Sequence, residues 1–338
     1  MAATSYHKDG HFNRLSSQFR DLVSPDPASR FPAEKGRYAL YVSPTSPWAH
    51  RTMIARILKG LEEIVDLYQV HHHLGPQGWY FSGKEGSLPK DPLYGFTLLR
   101  DLYLKADPSF SGRVTVPLLW DKKTHTIVNN ESSEIIRILT SAFDHLLPSH
   151  LREVNRPGGG LYPSPLRQEI DNLNSWIYNL INDGVYHVGF AATQESYDAH
   201  LYPLFDALDR VEQILSSDGR KYLVGEHLTE ADVRLYTTIV RFDVVYHPIF
   251  QCNLKSIRHD YPAMYLWLRR LYWDGSSEGE KGSDLTRGAF YKTTAPNFAN
   301  YAIGYVLGRR FVVFDNQGPV IVPRGPKVFI DALLEVEG

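Results

Sequence analysis

The stretch from Tyr41 to Arg51, Tyr-Val-Ser-Pro-Thr-Ser-Pro-Trp-Ala-His-Arg, joins an apolar run typical of a strand to a run with helical periodicity. Pro47 suits the first position of a helix, because the N–H that proline lacks would have no intrahelical acceptor there. Ser46 suits the N-cap, where its hydroxyl can accept a bond from a free backbone N–H. We therefore predict a strand, a tight turn and a helix N-terminus, a place where a developing anion is stabilised.

Charge and cysteine content restrict the classes of function. A net charge of −2 over 338 residues gives no electrostatic reason to expect a nucleic acid or a membrane as a partner. Cys252 is the only cysteine, which excludes an intrachain disulfide and a cysteine-rich metal site and is compatible with a reducing compartment. No signal peptide is visible, and no apolar run approaches the roughly 18 residues of a transmembrane helix. We expect a cytoplasmic protein.

The first half of the chain alternates strand and helix patterns. Strands are predicted at 36–42 and 64–70 with a helix at 48–60 between them, an order that favours a parallel βαβ unit. The same patterns predict further elements: a helix at 93–105, two antiparallel strands at 113–121 and 125–128, and a helix that opens near Asn130.

Proline and glycine mark the boundary between two predicted domains. Residues 148–165 are rich in both and predict a linker, beyond which the periodicity is helical. The remaining parts are an arm over the first domain at 1–35, the first domain at 36–147, a helical domain at 166–275 and a C-terminal extension at 276–338. Within that extension, residues 311–322 predict two strands around a turn.

Several motifs resemble one known family. Ser46-Pro-Trp-Ala-His-Arg resembles the Cys-Pro-Trp-Ala-His-Arg motif of the glutathionyl-hydroquinone reductases, the Xi class of omega-like glutathione transferases. Further similar motifs are Gly78-Trp-x-Phe, Val116-Pro117, Glu131-Ser132 and Gly184-Val-Tyr-x-x-Gly-Phe-Ala. The resemblance covers roughly residues 10–300. It implies an α/β thioredoxin-like N-terminal domain, an all-α C-terminal domain and a homodimer.

The resemblance also implies glutathione as the co-substrate and a set of residues that bind it. Trp79 is expected to pack beside glutathione, although an ordinary core or lid aromatic is the plainer interpretation. Val116, before a cis proline, is expected to pair through its backbone with the cysteinyl part. Glu131 and Ser132 are expected to bind the γ-glutamyl end, although they also make a good helix start. Arg113, in the predicted strand that contains Val116, belongs to the same set.

On the substrate side, the resemblance places a tyrosine in the pocket. Tyr186 lies in the Gly-Val-Tyr-x-x-Gly-Phe-Ala motif, where simple packing is the alternative. Near residue 290 the family has a His-Tyr-Tyr segment, whereas this chain has Gly288-Ala-Phe-Tyr, so the histidine is absent. Tyr291 is the expected hydroxyl there, and the alignment leaves the choice between Phe290 and Tyr291 open.

Ser46 stands where the family has its nucleophilic cysteine, and this difference governs the predicted function. A serine hydroxyl ionises far less readily than a cysteine thiol and cannot form a mixed disulfide. We therefore predict a glutathione-dependent enzyme of transferase type, in which Ser46 stabilises the glutathione thiolate and an aromatic or quinonoid electrophile is attacked. The alternatives are a non-catalytic glutathione-binding protein and a reductase whose cysteine has been replaced by engineering.

Two other motifs have mainly structural interpretations. His71, His72 and His73 suggest a metal site, but successive side chains diverge in a regular strand or helix, so a solvated loop and no metal are expected. Thr229 and Asp232 form a Thr-x-x-Asp pair that predicts a capping box, and hence a folding role for Asp232.

Overall fold

A computed structural model describes residues 7–8, 10–274 and 286–333. The described residues form two compact units, one made of 15–161 and 286–289 and the other of 7–8, 10–14, 162–274 and 290–333. We call the first the thioredoxin-like unit and the second the helical unit. The predicted arm at 1–35 is divided between them, because residues 10–14 belong to the helical unit and the chain from residue 15 onward to the thioredoxin-like unit.

The thioredoxin-like unit is built on a four-stranded mixed sheet. A short hairpin of β1 (His7–Lys8) and β2 (His11–Phe12) comes before it in the chain. The sheet has the order β4-β3-β5-β6, in which β3 and β4 are parallel as predicted and the other neighbours are antiparallel. Its strands are β3 (Tyr38–Val42), β4 (Val65–Gln69), β5 (Leu118–Asp121) and β6 (Thr126–Asn129).

Three helices accompany the sheet: α1 (Pro47–Leu58), α2 (Arg100–Ala106) and α3 (Ser132–Ser141). Every residue of β3 is completely buried, as expected for a central strand covered on both faces. Helix α2 is shorter than the predicted 93–105, and β5 begins at Leu118 rather than at Arg113. The second difference follows from Pro117, which has no N–H to contribute to a ladder.

The helical unit contains the remaining helices. Two of them continue into single π-helical turns at Tyr178–Asn182 and Phe242–Tyr246. Among the described residues, no helix has the length and hydrophobicity to cross a bilayer. The helices are α4 (Arg167–Ile177), α5 (Gly184–Gly189), α6 (Gln194–Ser216), α7 (Glu230–Arg241), α8 (Ile257–Asp260), α9 (Pro262–Trp273), α10 (Ala289–Thr294) and α11 (Phe298–Phe314).

The predicted capping box at the start of α7 is confirmed. Asp232 is fully buried, and its Oδ2 accepts a bond from the Thr229 N–H at 3.0 Å. Its Oδ1 accepts bonds from the Leu223 N–H at 2.9 Å and from Trp267 Nε1 at 3.0 Å. One carboxylate therefore joins the start of α7 to the preceding loop and to α9.

The prediction of two strands at 311–322 is wrong. Residues up to Phe314 are the last turns of α11, and no strand follows among the described residues. Helical spacing places Tyr301, Tyr305 and Val312 on the buried side, and Asp315 ends the helix in the left-handed conformation at φ 49°. Burial of one helix face outweighs the strand preference of the valines and phenylalanines. Residues 276–285 and 334–338 of the predicted extension lie outside the described part.

Candidate functional site

Ser46 is the N-cap of α1, and Pro47 is the first residue of that helix, as predicted. The Ser46 hydroxyl oxygen accepts a bond from the Ala49 N–H at 3.3 Å, and the side chain is partly exposed. The hydroxyl proton has no acceptor among the described residues. Ser46 therefore offers a free O–H donor at the positive end of a helix, where an anion is favoured.

The turn before Ser46 is held by hydroxyl groups. The hydroxyl oxygens of Ser43 and Thr45 lie 3.0 Å apart. Ser43 donates to the backbone carbonyl of His71 at 3.2 Å, and Thr45 donates to the carbonyl of His72. Because these three contacts are buried, the turn is fixed to the chain segment that follows β4.

The Val116–Pro117 peptide bond is cis, as the resemblance implies. Val116 is buried, and neither its N–H nor its carbonyl has a partner among the described residues. An extended peptide could pair with both groups as an added strand does. In the sheet, Tyr41 pairs with Leu118, so Val116 lies at the same edge as the turn before Ser46.

Glu131 is the N-cap of α3 and lies at this edge as well, because β6 runs antiparallel to β5 and α3 follows it. Glu131 Oε1 accepts bonds from the Ser133 N–H at 3.1 Å and from the Ser133 hydroxyl at 2.9 Å. Ser132 is buried at the first position of the helix, and its N–H has no acceptor among the described residues. A carboxylate fits such a helix N-terminus.

Three residues at this edge were not predicted as site residues. Ser17 donates to Glu131 Oε2 at 3.1 Å. Tyr103 donates to the carbonyl of Thr115 at 2.9 Å and accepts from its N–H at 3.2 Å. Asn130 accepts from the Phe19 N–H at 3.1 Å. The segment around Ser17 lies in the predicted arm at 1–35 and has no periodicity, so the sequence pattern gave no signal for its contact with Glu131.

Trp79 and Arg113 lie in the thioredoxin-like unit, and both are partly exposed. The carbonyl of Trp79 accepts a bond from the Leu99 N–H at 2.9 Å, which fixes the backbone of its loop. Arg113 precedes Val116 in the segment that leads into β5. Their assignment to glutathione binding stays a prediction.

Tyr186 lies in the helical unit within a buried cluster of tyrosines. Its hydroxyl shares a hydrogen bond with Tyr305 at 3.0 Å, and Tyr305 shares another with Tyr246 at 3.0 Å. Burial raises the pKa of Tyr186 above its ordinary value, which the guanidinium of Arg14, 4.8 Å from the ring centroid, partly offsets. The phenol therefore stays protonated at neutral pH. A role toward substrate stays a prediction.

The structure distinguishes the environments of Phe290 and Tyr291. Phe290 is fully buried and packs edge-on against Tyr236, with 4.6 Å between ring centroids. Tyr291 is partly exposed and packs against Tyr272 at 5.2 Å and Trp273 at 5.6 Å. Phe290 is therefore a core residue and Tyr291 is the partly exposed one of the two. A role of Tyr291 toward a ligand stays a prediction.

Cys252 is unsuited to act as a nucleophile. It is fully buried in the helical unit, and its sulfur lies 3.9 Å from the carbonyl oxygen of Val185. Burial raises the pKa of the thiol well above its usual value, so the thiolate is disfavoured. The chain thus supplies no reactive thiol.

The expectation that His71, His72 and His73 diverge into solvent is wrong. His71 and His72 are buried, and the three ring centroids lie 4.1 to 4.8 Å apart. The chain bends at these residues instead of continuing as a strand, which brings successive side chains together. Burial, followed by the neighbouring ring, lowers the pKa of His72 to about 4, and burial also lowers the pKa of His71.

Comparison with known proteins gives the class to which this arrangement belongs. The glutathione S-transferase N-terminal domain model matches residues 45–142, and the glutathione S-transferase C-terminal domain model matches residues 194–270. The first match contains the turn, the cis proline and the start of α3. The fold is that of a glutathione transferase, with a thioredoxin-like domain followed by a helical one.

Three relatives narrow the family. Glutathione S-transferase omega-like 2 of Schizosaccharomyces pombe is 51% identical over 266 residues, which cover 79% of this chain and 83% of that protein. Glutathionyl-hydroquinone reductase PcpF of Sphingobium chlorophenolicum is 48% identical over 255 residues, which cover 75% of this chain and 76% of that protein. The crystal structure of the Xi glutathione transferase ECM4 of Saccharomyces cerevisiae in complex with glutathione has a TM-score of 0.83 at 38% identity, covering 96% of this chain and all of that one. The chain belongs to the Xi class of glutathione transferases, the family of the glutathionyl-hydroquinone reductases.

Proposed function

We propose that this chain is a glutathione-dependent enzyme of transferase type that acts on an electrophilic aromatic or quinonoid small molecule. Glutathione is the co-substrate and supplies the reactive sulfur. Ser46 stabilises its thiolate. The single observation that carries the proposal is the Ser46 hydroxyl, whose oxygen is occupied by the Ala49 N–H while its proton has no acceptor within the described chain.

The proposed binding of glutathione uses three groups at one edge of the sheet. The N–H and carbonyl of Val116 pair with the cysteinyl residue, since both lack partners. The N–H of Ser132 receives the γ-glutamyl carboxylate at the N-terminus of α3. The Glu131 carboxylate is available to the ammonium group, because its two oxygens offer about four acceptor positions and bonds from Ser17 and Ser133 occupy three of them. Trp79 and Arg113 are proposed to contact the remainder.

The proposed chemistry follows from the residue at the helix N-terminus. A thiolate is stabilised by the Ser46 O–H and by the helix dipole, and each unit of depression of the thiol pKa corresponds to about 1.4 kcal/mol. The thiolate then forms a carbon–sulfur bond with the electrophile. With a quinone, the electron pair moves to the ring oxygen, which takes a proton. With a ring that carries a leaving group, that group departs with the electron pair.

Tyr186 and Tyr291 are proposed to serve the electrophile as hydroxyl donors. The partial exposure of Tyr291 supports its assignment. Tyr186 is protonated, as a donor must be, but its hydroxyl already bonds to Tyr305. The same bond favours the second candidate, a non-catalytic glutathione-binding protein. A Tyr186 that serves only packing would have its hydroxyl bonded within the protein, as it is here.

Reductase activity is the third possibility, and it requires a cysteine at residue 46. If the serine is an engineered replacement, Ser46→Cys creates a glutathionyl-hydroquinone reductase directly. We further propose a cytoplasmic homodimer, for which the support is the family resemblance, and light scattering of the purified chain measures its mass.

Calorimetry with glutathione, followed by turnover with 1,4-benzoquinone, chlorodinitrobenzene and a glutathionylated hydroquinone, tests these proposals. The first candidate predicts binding, and turnover of the quinone or the chloroarene that falls in Ser46→Ala. Binding without turnover of any of the three supports the second candidate. No binding of glutathione contradicts both. A matched control is Ser141→Ala, which removes an exposed hydroxyl at the far end of α3.

A further inference from the structure

We propose that His71, His72 and His73, in the thioredoxin-like unit, together bind one divalent metal ion of the kind that imidazole ligands prefer, such as Zn²⁺. One ring nitrogen from each histidine lies within 4.8 Å of the others. In the described part of the chain, this is the one group of three or more potential ligands that meets this distance. Imidazole nitrogens suit zinc, copper and nickel.

Neighbouring groups favour the tautomer with the proton on Nδ1 in all three histidines. His73 Nδ1 lies 3.1 Å from the carbonyl oxygen of Leu74, which can only accept. His71 Nδ1 lies 2.9 Å from the hydroxyl of Ser82, which donates its own proton toward the Lys84 carbonyl at 3.4 Å and therefore accepts from the ring. Both rings then carry their proton on Nδ1 and present a bare Nε2.

His72 is oriented by a carboxylate. Its Nδ1 lies 2.6 Å from Glu85 Oε2, a close contact that is not aligned as a hydrogen bond. A carboxylate at this distance also favours the proton on Nδ1, which leaves Nε2 as the third lone pair. Histidines that bind metals almost always donate their other N–H to a carboxylate, a carbonyl or a similar acceptor. The Leu74 carbonyl and the Ser82 hydroxyl lie in that position for His73 and His71, and the Glu85 carboxylate lies beside Nδ1 of His72.

Binding of the ion requires the three ring nitrogens to move slightly closer together. Zinc–nitrogen bonds of about 2.0–2.1 Å in a tetrahedron place the nitrogens roughly 3.3 Å apart, less than the 4.8 Å that bounds the present separation. His71 and His72 are fixed, since their carbonyls accept bonds from Ser43 and Thr45. His73 is partly exposed, so its ring supplies the adjustment and its side is the entry for the ion. Three histidines leave the fourth position to water.

Titration of the full-length, tag-free protein with Zn²⁺ alone, without glutathione, tests the proposal by calorimetry. Wild type is expected to bind one ion per chain, and His73→Gln to bind it at least tenfold more weakly. His150→Gln, which removes an exposed histidine elsewhere in the same unit, is expected to bind as wild type does. Equal binding by wild type and His73→Gln, or no binding by wild type, overturns the site.

A second measurement does not require a variant of the three proposed ligands to fold. Cu²⁺ added to wild type is expected to give an electron paramagnetic resonance spectrum with hyperfine structure from coordinated imidazole nitrogens. The spectrum of His150→Gln should be identical, whereas a spectrum without nitrogen coupling would overturn the assignment. Since the probe is the metal alone, the outcome is independent of whether the proposed glutathione chemistry is correct.

Discussion

The Ser46 hydroxyl oxygen accepts the N–H of Ala49 at 3.3 Å, so the residue that caps α1 is also the one that presents an O–H at the helix N-terminus. The two roles use different parts of one hydroxyl, its lone pair and its proton. A serine can thus complete the helix start and still donate to a sulfur anion. This dual use links the local folding of the turn to the proposed chemistry.

The first prediction concerns the γ-glutamyl end of glutathione. Glu131→Gln is expected to weaken glutathione binding about tenfold or more, because a hydrogen bond to a charged group contributes about 1.5–3 kcal/mol. Calorimetry measures the change. The matched control is Glu134→Gln in the first turn of α3. The carboxylate of Glu134 is paired with Arg20. Similar losses in both variants would contradict a specific role for Glu131.

The second prediction concerns the support of the Val116 segment. Tyr103→Phe removes the hydroxyl that bonds both the N–H and the carbonyl of Thr115 inside the buried core. We expect a loss of about 1–3 kcal/mol in unfolding free energy, the cost of unpaired buried groups. Urea denaturation measures it, with Tyr202→Phe, which is exposed, as the control. An unchanged midpoint in Tyr103→Phe would show that this network does not support the segment.

The third prediction concerns the capping box of α7. Asp232→Ala is expected to lower the unfolding free energy by about 2–4 kcal/mol, because a cap contributes about 1 kcal/mol and the buried Trp267 and Leu223 donors also lose their acceptor. Thermal and urea denaturation measure the loss. Asp206→Ala, an exposed position in α6, is the control and should change stability little. Equal stabilities of the two variants would refute the folding role.

The fourth prediction concerns pH. Burial alone would raise the pKa of Asp121, but the paired bonds from Arg37, at 2.9 and 2.6 Å, hold it below its ordinary value. A carboxyl with a depressed folded-state pKa stabilises the protein above its unfolded pKa of about 3.9, and this contribution is lost as the pH falls through the folded value. Asp121→Asn should therefore cost about 3 kcal/mol at pH 7 and progressively less below pH 4.

Unfolding free energies from pH 7 to pH 3 give the comparison. The control is Asp66→Asn, which breaks the more exposed pair with Lys122 and should cost about 0–1 kcal/mol. A cost of Asp121→Asn that stays constant over this range would exclude the ion pair as its source.

Local rules were sufficient where a feature depends on a few neighbouring residues. The cap at Ser46 and Pro47, the antiparallel β5–β6 pair and the capping box at Thr229 were predicted because each follows from hydrogen-bonding groups within a short stretch. The cis bond at Val116–Pro117 came from the family resemblance, since most X-Pro bonds are trans.

The rest depended on contacts distant in sequence. Residues 311–322 have a strand-like composition, yet residues 311–314 are helical. They continue α11, the helix whose face is buried through Tyr301 and Tyr305. The contact of Ser17 with Glu131 joins an aperiodic arm to a helix start more than a hundred residues later. His71, His72 and His73 come together because the chain bends there. That bend is held by bonds from Ser43 and Thr45 to the carbonyls of His71 and His72, which the sequence does not predict.

The most direct measurement is the ultraviolet absorbance of the thiolate of bound glutathione, titrated against pH in wild type and in Ser46→Ala. We expect the thiol of bound glutathione in wild type to ionise below the pH at which free glutathione does. Loss of the Ser46 O–H should raise that midpoint by about one unit, equivalent to roughly 1.4 kcal/mol. Superimposable titration curves for the two proteins would contradict the assignment of Ser46 as the group that stabilises the thiolate.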